Sequence, residues 1–316
     1  MRRRLAILTL KDDLHAYIVR DHLEKHFATS ASIVEVDNLV GKNSFNWSNT
    51  SASPCVPSLD GALNVDAIDL VWWRRSRADQ LASTGFDDPA ASDLINQDWR
   101  GALRAILLNK KDIQWVSDPV ATEAASFKLS QLEIAHRCGF RVPKTLISND
   151  PSAVRDFVSS FKDGVVVKAV SGTRHKLLIT SVVKTDELPA DSAISCSPTI
   201  YQEHIRGTRH LRINQFGKKT FSFMISSTAL DWRPKLNKTI EYHPVDTDIS
   251  MRCIDFLYKS NLRMGVFDFK LDEQGEIVFF ENNPQGQFMF LQGITGFDIR
   301  HRFCEFLCDE IDAKGS

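Results

Sequence analysis

Two phosphate-binding signatures are missing from this chain: there is no GxxxxGK[ST] run, and no GxGxxG opens a helix after a strand. Those motifs use glycine to bring backbone N–H groups close to phosphates, so P-loop and dinucleotide-fingerprint designs are excluded. The six cysteines contain no CxxC pair. Cys304 and Cys308 share only an i, i+4 spacing, which alone makes no zinc site. Reduced, structural thiols in a cytosolic protein are the expectation. His22 and His26 share that helical spacing without a third ligand in view, and are expected on a solvated helix face. No Ser-His-Asp or Cys nucleophile set is visible.

An excess of either charge is also lacking. Lys and Arg total 39 against 40 Asp and Glu, for a net charge of −1. A generic nucleic-acid binder should be basic, so that class is disfavoured, although a local basic groove is not. No stretch approaches the ~18 apolar residues that a membrane span requires. Arg2-Arg3-Arg4 before "LAILTL" faintly resembles a signal peptide. Lys11-Asp12-Asp13 ends that run without a small-residue cleavage site, so a first β-strand and a cytoplasmic location are the better reading. Repeats and low-complexity tracts are absent too.

What is present is ordinary globular material, 43% apolar and 25% charged over 316 residues, enough for two or three packed units. Residues 1–118 have the pattern of a small α/β unit. A strand at 4–10 precedes the helix "LHAYIVRDHLEKHF" and the strand "SIVEVDNL". The Ser/Asn/Gly/Pro-rich stretch 41–64 suggests a loop or weak hairpin. "AIDLVWWRRS" is a strand ending in a basic cluster, and a helix is expected over about 91–110. A second unit, 119–198, opens with a helix over 121–138 that Gly139 stops. "RVPKTLIS" follows as an extended segment. The next helix takes Asp150 as N-cap and Pro151 at its first position. "GVVVKAV" and "KLLITSVV" are expected to pair as antiparallel strands. The third unit, 199–316, carries the strands "TIYQEHI", "HLRINQF", "KTFSFMIS", "MGVFDFKL" and "EIVFFEN". Helices around 247–262 and 298–312 complete it.

Polar residues then appear where a core strand should not carry them. Val278-Phe279-Phe280 is followed by Glu281-Asn282-Asn283 and by Pro284, which lacks the N–H that a central strand uses. "DEQGE" is a hairpin turn, so Asp268 on the preceding strand can face Glu281 across an antiparallel pair. Asn283 falls on the same side as Glu281 by the strand period of two. Two carboxylates and an amide oxygen are hard ligands that suit Mg²⁺, which commonly shares its coordination with substrate phosphates. A polar hairpin end is the plainer alternative. Lys168 closes the apolar run Val165-Val166-Val167, and its charge must reach something anionic. Together with Lys128 on its helix and the "SGTR" loop at 171–174, it suggests a triphosphate cradle.

The order of these parts resembles the ATP-grasp superfamily: a helical lysine, a strand-end lysine, a "YQEHI" hinge, an arginine on the next strand, then Asp and Glu-x-Asn. More finely, the chain resembles the peptide-cyclising ligases of graspetide (microviridin-type) biosynthesis. The resemblance covers nearly the full length through "VWWRR", "FKLSQLEIAHRCGFRVPKTLISNDP", "YQEHI", "HLRINQFGKKTFSFMISS", "DWRP" and "FFENNPQGQF…GITG". It implies an α/β (α+β) ATP-grasp fold, with an N-terminal pre-grasp domain and ATP between two lobes. It further implies that Lys128 and Lys168 meet the α- and β-phosphates as point charges. Glu203, His204 and Ile205 would offer backbone to adenine with Gln202 nearby, and Asp268, Glu281 and Asn283 would hold Mg²⁺. Arg212 would brace the γ-phosphate, a task in which an arginine supplies roughly 10³–10⁵ in rate; an ion pair on a strand face is its alternative. Ribosomal-protein glutamate ligases carry Asp-Leu-Arg where this chain has His210-Leu211-Arg212. Position 210 is therefore given no catalytic task.

The implied reaction activates a carboxylate as an acyl phosphate, which a hydroxyl or amine then attacks. The implied partner is a precursor peptide with a leader and a core of acidic and hydroxyl or lysine residues. Asp231, Trp232 and Arg233 are candidate peptide anchors, since aromatics and arginine are favoured at such surfaces; a buried Trp with a local ion pair is the alternative. A homodimer is neither required nor excluded. Two other functions stand beside this one: a ligase adding a free amino acid to a carboxylate, and a non-catalytic nucleotide-binding module.

Overall fold

A computed structural model of the chain describes residues 3–50, 53–75, 84–171, 181–229, 232 and 238–313. It begins with β1 (Arg3–Thr9), the strand expected in place of a signal peptide, then α1 (Leu14–His26) and β2 (Thr29–Glu35). Asp13 starts α1 by accepting from the His15 N–H, and Ala16, Val19 and Leu23 at helical spacing bury its inner face. The polar stretch forms a small hairpin, β3 (Cys55–Ser58) and β4 (Gly61–Asn64). After β5 (Leu70–Trp73) come α2 (Pro89–Leu108), capped by Asp88, and β6 (Gln114–Val116). The strands form a parallel sheet in the order β2-β1-β5-β6.

The expected single helix over 121–138 is two: α3 (Pro119–Ala124) and α4 (Lys128–Arg137). The break leaves the Ala125 carbonyl without its helical partner, and Gln131 Nε2 supplies one at 2.7 Å. Lys128 is thereby set at the start of a helix rather than in the middle of one. Next come β7 (Thr145–Ser148), α5 (Pro151–Ser159) with the expected Asp150 cap, and β8 (Val165–Ala169). β9 (Ser181–Val183), α6 (Asp191–Ile194) and β10 (Thr199–Glu203) follow. β9 does pair antiparallel with β8; residues 172–180, which take in most of the "SGTR" loop and the first five residues of the expected strand "KLLITSVV", lie outside the described residues. Antiparallel pairing gives the order β7-β10-β8-β9, so β10 belongs to this sheet and the chain changes sheets at 204–208.

The last sheet has the order β13-β12-β11-β14-β15. Its members are β11 (Arg209–Phe216), β12 (Lys219–Ser226), β13 (Thr239–Tyr242), β14 (Met264–Leu271) and β15 (Ile277–Asn283). Between them lies α7 (Thr247–Lys259), and α8 (Met289–Thr295) and α9 (Ile299–Asp312) close the chain. One face of the sheet packs Leu211, Ile213, Phe267, Phe269 and Phe279 against Phe256 of α7 and Phe140. On the other face Phe303 of α9 meets Phe216 at 4.9 Å and Trp72 of β5 at 4.8 Å between ring centroids. The aromatic bridge joins the first and last thirds of the chain and fixes how the N-terminal sheet sits over the hairpin loop after β15.

One sequence expectation changes here. His22 is buried rather than solvated, with Nε2 at 3.1 Å from Nδ1 of His301 on α9, because α1 docks on α9 through that face. In the basic cluster after β5, Arg74 is wholly buried and Arg75 half-buried.

Candidate active site in the cleft between two sheets

The β14–β15 hairpin sets Asp268 directly opposite Glu281, and β11 sets Arg212 opposite Asp268 from the other side. The β14–β15 register shifts just after Asp268, with Phe269 opposite Phe279, so Phe280 is an extra, unpaired residue. Such a bulge turns side chains out of the regular alternation. Here it presents Phe280 to the middle sheet, and Lys168 Nζ lies 5.4 Å from its ring centroid.

Each carboxylate has a cation. Arg212 donates from one guanidinium nitrogen to both oxygens of Asp268, at 2.6 and 2.9 Å, and from the other to the Gln287 carbonyl at 2.8 Å. Lys128 Nζ donates to Glu281 Oε2 at 3.1 Å. Lys168 Nζ donates to Gln202 Oε1 at 2.8 Å, and Gln202 is held in turn by donating to Thr145 Oγ1 at 3.0 Å. Asn283 Oδ1 accepts from the Gln285 N–H at 3.0 Å, which leaves its second lone pair for a ligand.

At the hinge, the Glu203 carboxylate is committed. It accepts from the Lys144 N–H at 3.0 Å and lies 3.5 Å from Arg141, itself paired with Asp272 and Glu276. The backbone N–H and C=O groups of His204 and Ile205 make no hydrogen bond among the described residues. A flat heteroaromatic edge presented to that backbone would find both a donor and an acceptor. Burial pushes the His204 imidazole below its usual range, helped by the nearby charges of Lys270 and Arg206. It stays neutral at pH 7.

The structure thus couples Lys128 to Glu281 and Arg212 to Asp268 on the last sheet, and sets Lys168, held by Gln202 of the middle sheet, over Phe280 of β15. It leaves Asn283 two residues past Glu281 on the same strand, and runs Glu203, His204 and Ile205 into the connection between the two sheets. Of the peptide anchors, Asp231 and Arg233 lie outside the described residues. Trp232 is buried beside Arg212, whose guanidinium carbon is 5.6 Å from its ring centroid. The same guanidinium lies 5.7 Å from the Phe290 ring, so it is held between two aromatics.

Among the described residues no group of three or more His, Cys, Asp and Glu is arranged to hold a metal. Asp268 and Glu281 with Asn283 form a different set, two carboxylates and one amide oxygen. That set fits Mg²⁺, which takes few protein oxygens and completes its octahedron with phosphates and water.

Sequence reasoning missed three supports of the site. Gln131 on α4 clamps β15 by accepting from the Asn282 N–H at 3.0 Å and donating to the Asn282 carbonyl at 2.8 Å. Arg74 donates to the carbonyls of Gln285 and Gly286 at 2.8 and 3.2 Å and pairs with Asp13 at 3.3 Å. Burial draws its pKa down to about 10. His15 Nε2 accepts from the Phe288 and Met289 N–H groups at 3.1 and 3.0 Å. Burial first, then the Arg74 charge, lowers its pKa to about 3, which keeps the accepting nitrogen unprotonated. Residues 285–289 are therefore gripped by Arg74, just after β5, by His15 on α1, and by Arg212 on β11. The only sequence signal was the presence of Arg74 in "VWWRR".

The fold is that of the ATP-grasp ligases. Among solved structures, the macrocyclase MdnC from Microcystis aeruginosa MRC, bound with precursor peptide MdnA, aligns with a TM-score of 0.84 at 22% identity. That alignment covers 97% of this chain and 99% of MdnC. A RiPP-associated ATP-grasp ligase from Chryseobacterium gregarium, in complex with ADP and a leader and core peptide, gives 0.85 at 23% identity, covering 98% and 97%. The ATP-grasp ligase PsnB with minimal precursor, Mg and ADP gives 0.80 at 21%, covering 97% of each chain. No protein-family model and no curated protein sequence matches the chain. No helix among the described residues is long and apolar enough to cross a membrane.

Proposed function

We propose that this protein is an ATP-dependent ligase that joins Asp or Glu side chains of a precursor peptide to Ser/Thr hydroxyls or Lys amines, forming ester or amide macrocycles. The observation that carries the reading is the seating of Lys128 and Arg212 on the Asp268–Glu281 pair, with Lys168 over the ring of Phe280 next to Glu281, in a chain that aligns over nearly its whole length with peptide-bound ATP-grasp ligases.

The chemistry accounts for each side chain. A carboxylate is a poor electrophile because its leaving group would be oxide. A substrate carboxylate oxygen bonds to the γ-phosphorus of ATP as the bond to ADP breaks. The hydroxyl or amine then attacks the acyl carbon, phosphate leaves, and the nucleophile's proton passes to solvent or phosphate. Lys128 and Lys168 would neutralise the phosphate chain, and Arg212 the charge growing on the transferred group. Mg²⁺, held by Asp268, Glu281 and Asn283, would supply Lewis-acid neutralisation of the phosphates. Most of the rate would come from positioning. The backbone of His204 and Ile205 would receive the adenine edge. The location would be cytoplasmic, where MgATP is supplied.

Mass spectrometry of the enzyme with MgATP and its encoded precursor peptide tests the proposal. One water lost per linkage, with one ADP formed, is expected. Addition of a free amino acid to the peptide instead would replace this reading with that of a simple carboxylate–amine ligase.

A further inference from the structure

The cleft holds a cation that the reaction above does not use. Lys270 lies on β14 two residues beyond Asp268, so it shares that carboxylate's face, while Phe267 and Phe269 pack into the core behind. It is opposite His210 on β11 and Val278 on β15, and is only 4% exposed. A buried ammonium is expensive unless paired. Among the described residues Lys270 has no hydrogen bond or ion pair. The acidic groups around the cleft are committed elsewhere: Asp268 to Arg212, Glu281 to Lys128, Glu203 to Arg141 and the Lys144 N–H, and Asp163 to Arg206. A leucine would complete that face at no such penalty.

Its position along the strand says which part of a ligand it would meet. Asp268, Glu281 and Arg212 mark the phosphate end. Lys270 lies roughly 7 Å further along, toward the hinge. There the hinge backbone presses on the end of β14: a Cβ at Gly207 would stand 2.2 Å from the Leu271 carbonyl oxygen, so only glycine permits the approach. The Lys270 charge is also felt by His204 of the hinge.

From this placement we infer that Lys270 is a nucleoside-binding residue, donating from Nζ to a ring-nitrogen or ribose-oxygen acceptor of the nucleotide and thereby setting nucleotide affinity. The inference rests on the nucleotide-ligase reading above. It deepens that reading by assigning the base end of the cleft a cation, separate from the phosphate lysines.

The test is isothermal titration of the full-length protein with MgADP and, separately, with magnesium tripolyphosphate, which lacks the nucleoside. Lys270→Met should weaken MgADP binding about tenfold or more, the loss typical of one charge-assisted hydrogen bond, and leave tripolyphosphate binding unchanged. Lys270→Gln, which keeps a donor, should recover part of the loss and guards against a folding defect in the Met variant. The inference is overturned if both variants bind MgADP as wild type does, since Lys270 is then only packing. It is equally overturned if both ligands weaken together, which would make Lys270 a phosphate group or a general support. Failure of the wild type to bind MgADP would instead remove the nucleotide reading itself.

Discussion

Lys128, the first residue of α4, donates from Nζ to Oε2 of Glu281 on β15 at 3.1 Å, across 153 residues of sequence. A lysine suited to phosphate thus closes on a carboxylate suited to metal. Both side chains are partly exposed, so the pair contributes little to folding, on the order of 1 kcal/mol or less. Lys128→Met and Glu281→Gln should each leave the urea midpoint close to wild type while turnover of the precursor peptide falls by orders of magnitude. Near-normal turnover in either variant would remove that residue from the site.

Lys168 should separate binding from folding. Its amine is held by Gln202 and lies above the Phe280 ring, and it is only partly buried. Lys168→Ala is expected to raise the MgATP concentration needed for half-maximal rate and to suppress turnover. Thermal stability should stay within about 1 kcal/mol of wild type. A variant that unfolds would show Lys168 to be structural.

Arg74 should behave in the opposite way. Its removal strands Asp13 and two loop carbonyls in a buried site, and breaking a buried pair costs about 3–5 kcal/mol. Arg74→Met should lower the urea midpoint strongly. Arg74→Lys keeps the charge but not the fork that spans both carbonyls, so it should fold better and still turn over slowly. Wild-type turnover in the Lys variant would show that the grip on residues 285 and 286 is dispensable.

His15 makes stability fall in mild acid. Its folded pKa of about 3 lies below the usual 6.5, so the unfolded chain binds this proton more tightly. The stabilising difference is fully present above pH 6.5 and is lost as pH falls toward 3, at up to about 1.4 kcal/mol per pH unit. His15→Gln keeps an acceptor for the Phe288 and Met289 N–H groups without a titrating ring. Chemical denaturation between pH 7 and pH 4.5 should give a shallower decline for the variant. An unchanged slope would place the acid sensitivity elsewhere.

The sequence by itself determined whatever depends on neighbours along the chain. Alternation and the Gly275 turn were enough to pair "MGVFDFKL" with "EIVFFEN", because a hairpin is a local matter; the regular register would set Phe280 opposite Asp268, and it is the bulge at Phe280 that brings Glu281 there instead. Asp150 and Pro151 opened their helix for equally local reasons. The break between α3 and α4 was invisible, because the apolar period runs through it; Gln131 decides it by bonding both Ala125 and the distant Asn282. Tertiary structure alone decided that Arg74 is buried under a loop 211 residues away and that His22 meets His301. It alone seated Trp232 beside Arg212 rather than on an outer surface. Whether a charge or a ring is solvated depends on which surface arrives to cover it, and residue type carries no record of that. The arrival is set by the packing of α9 between the first and last sheets, a long-range event with no local pattern to announce it.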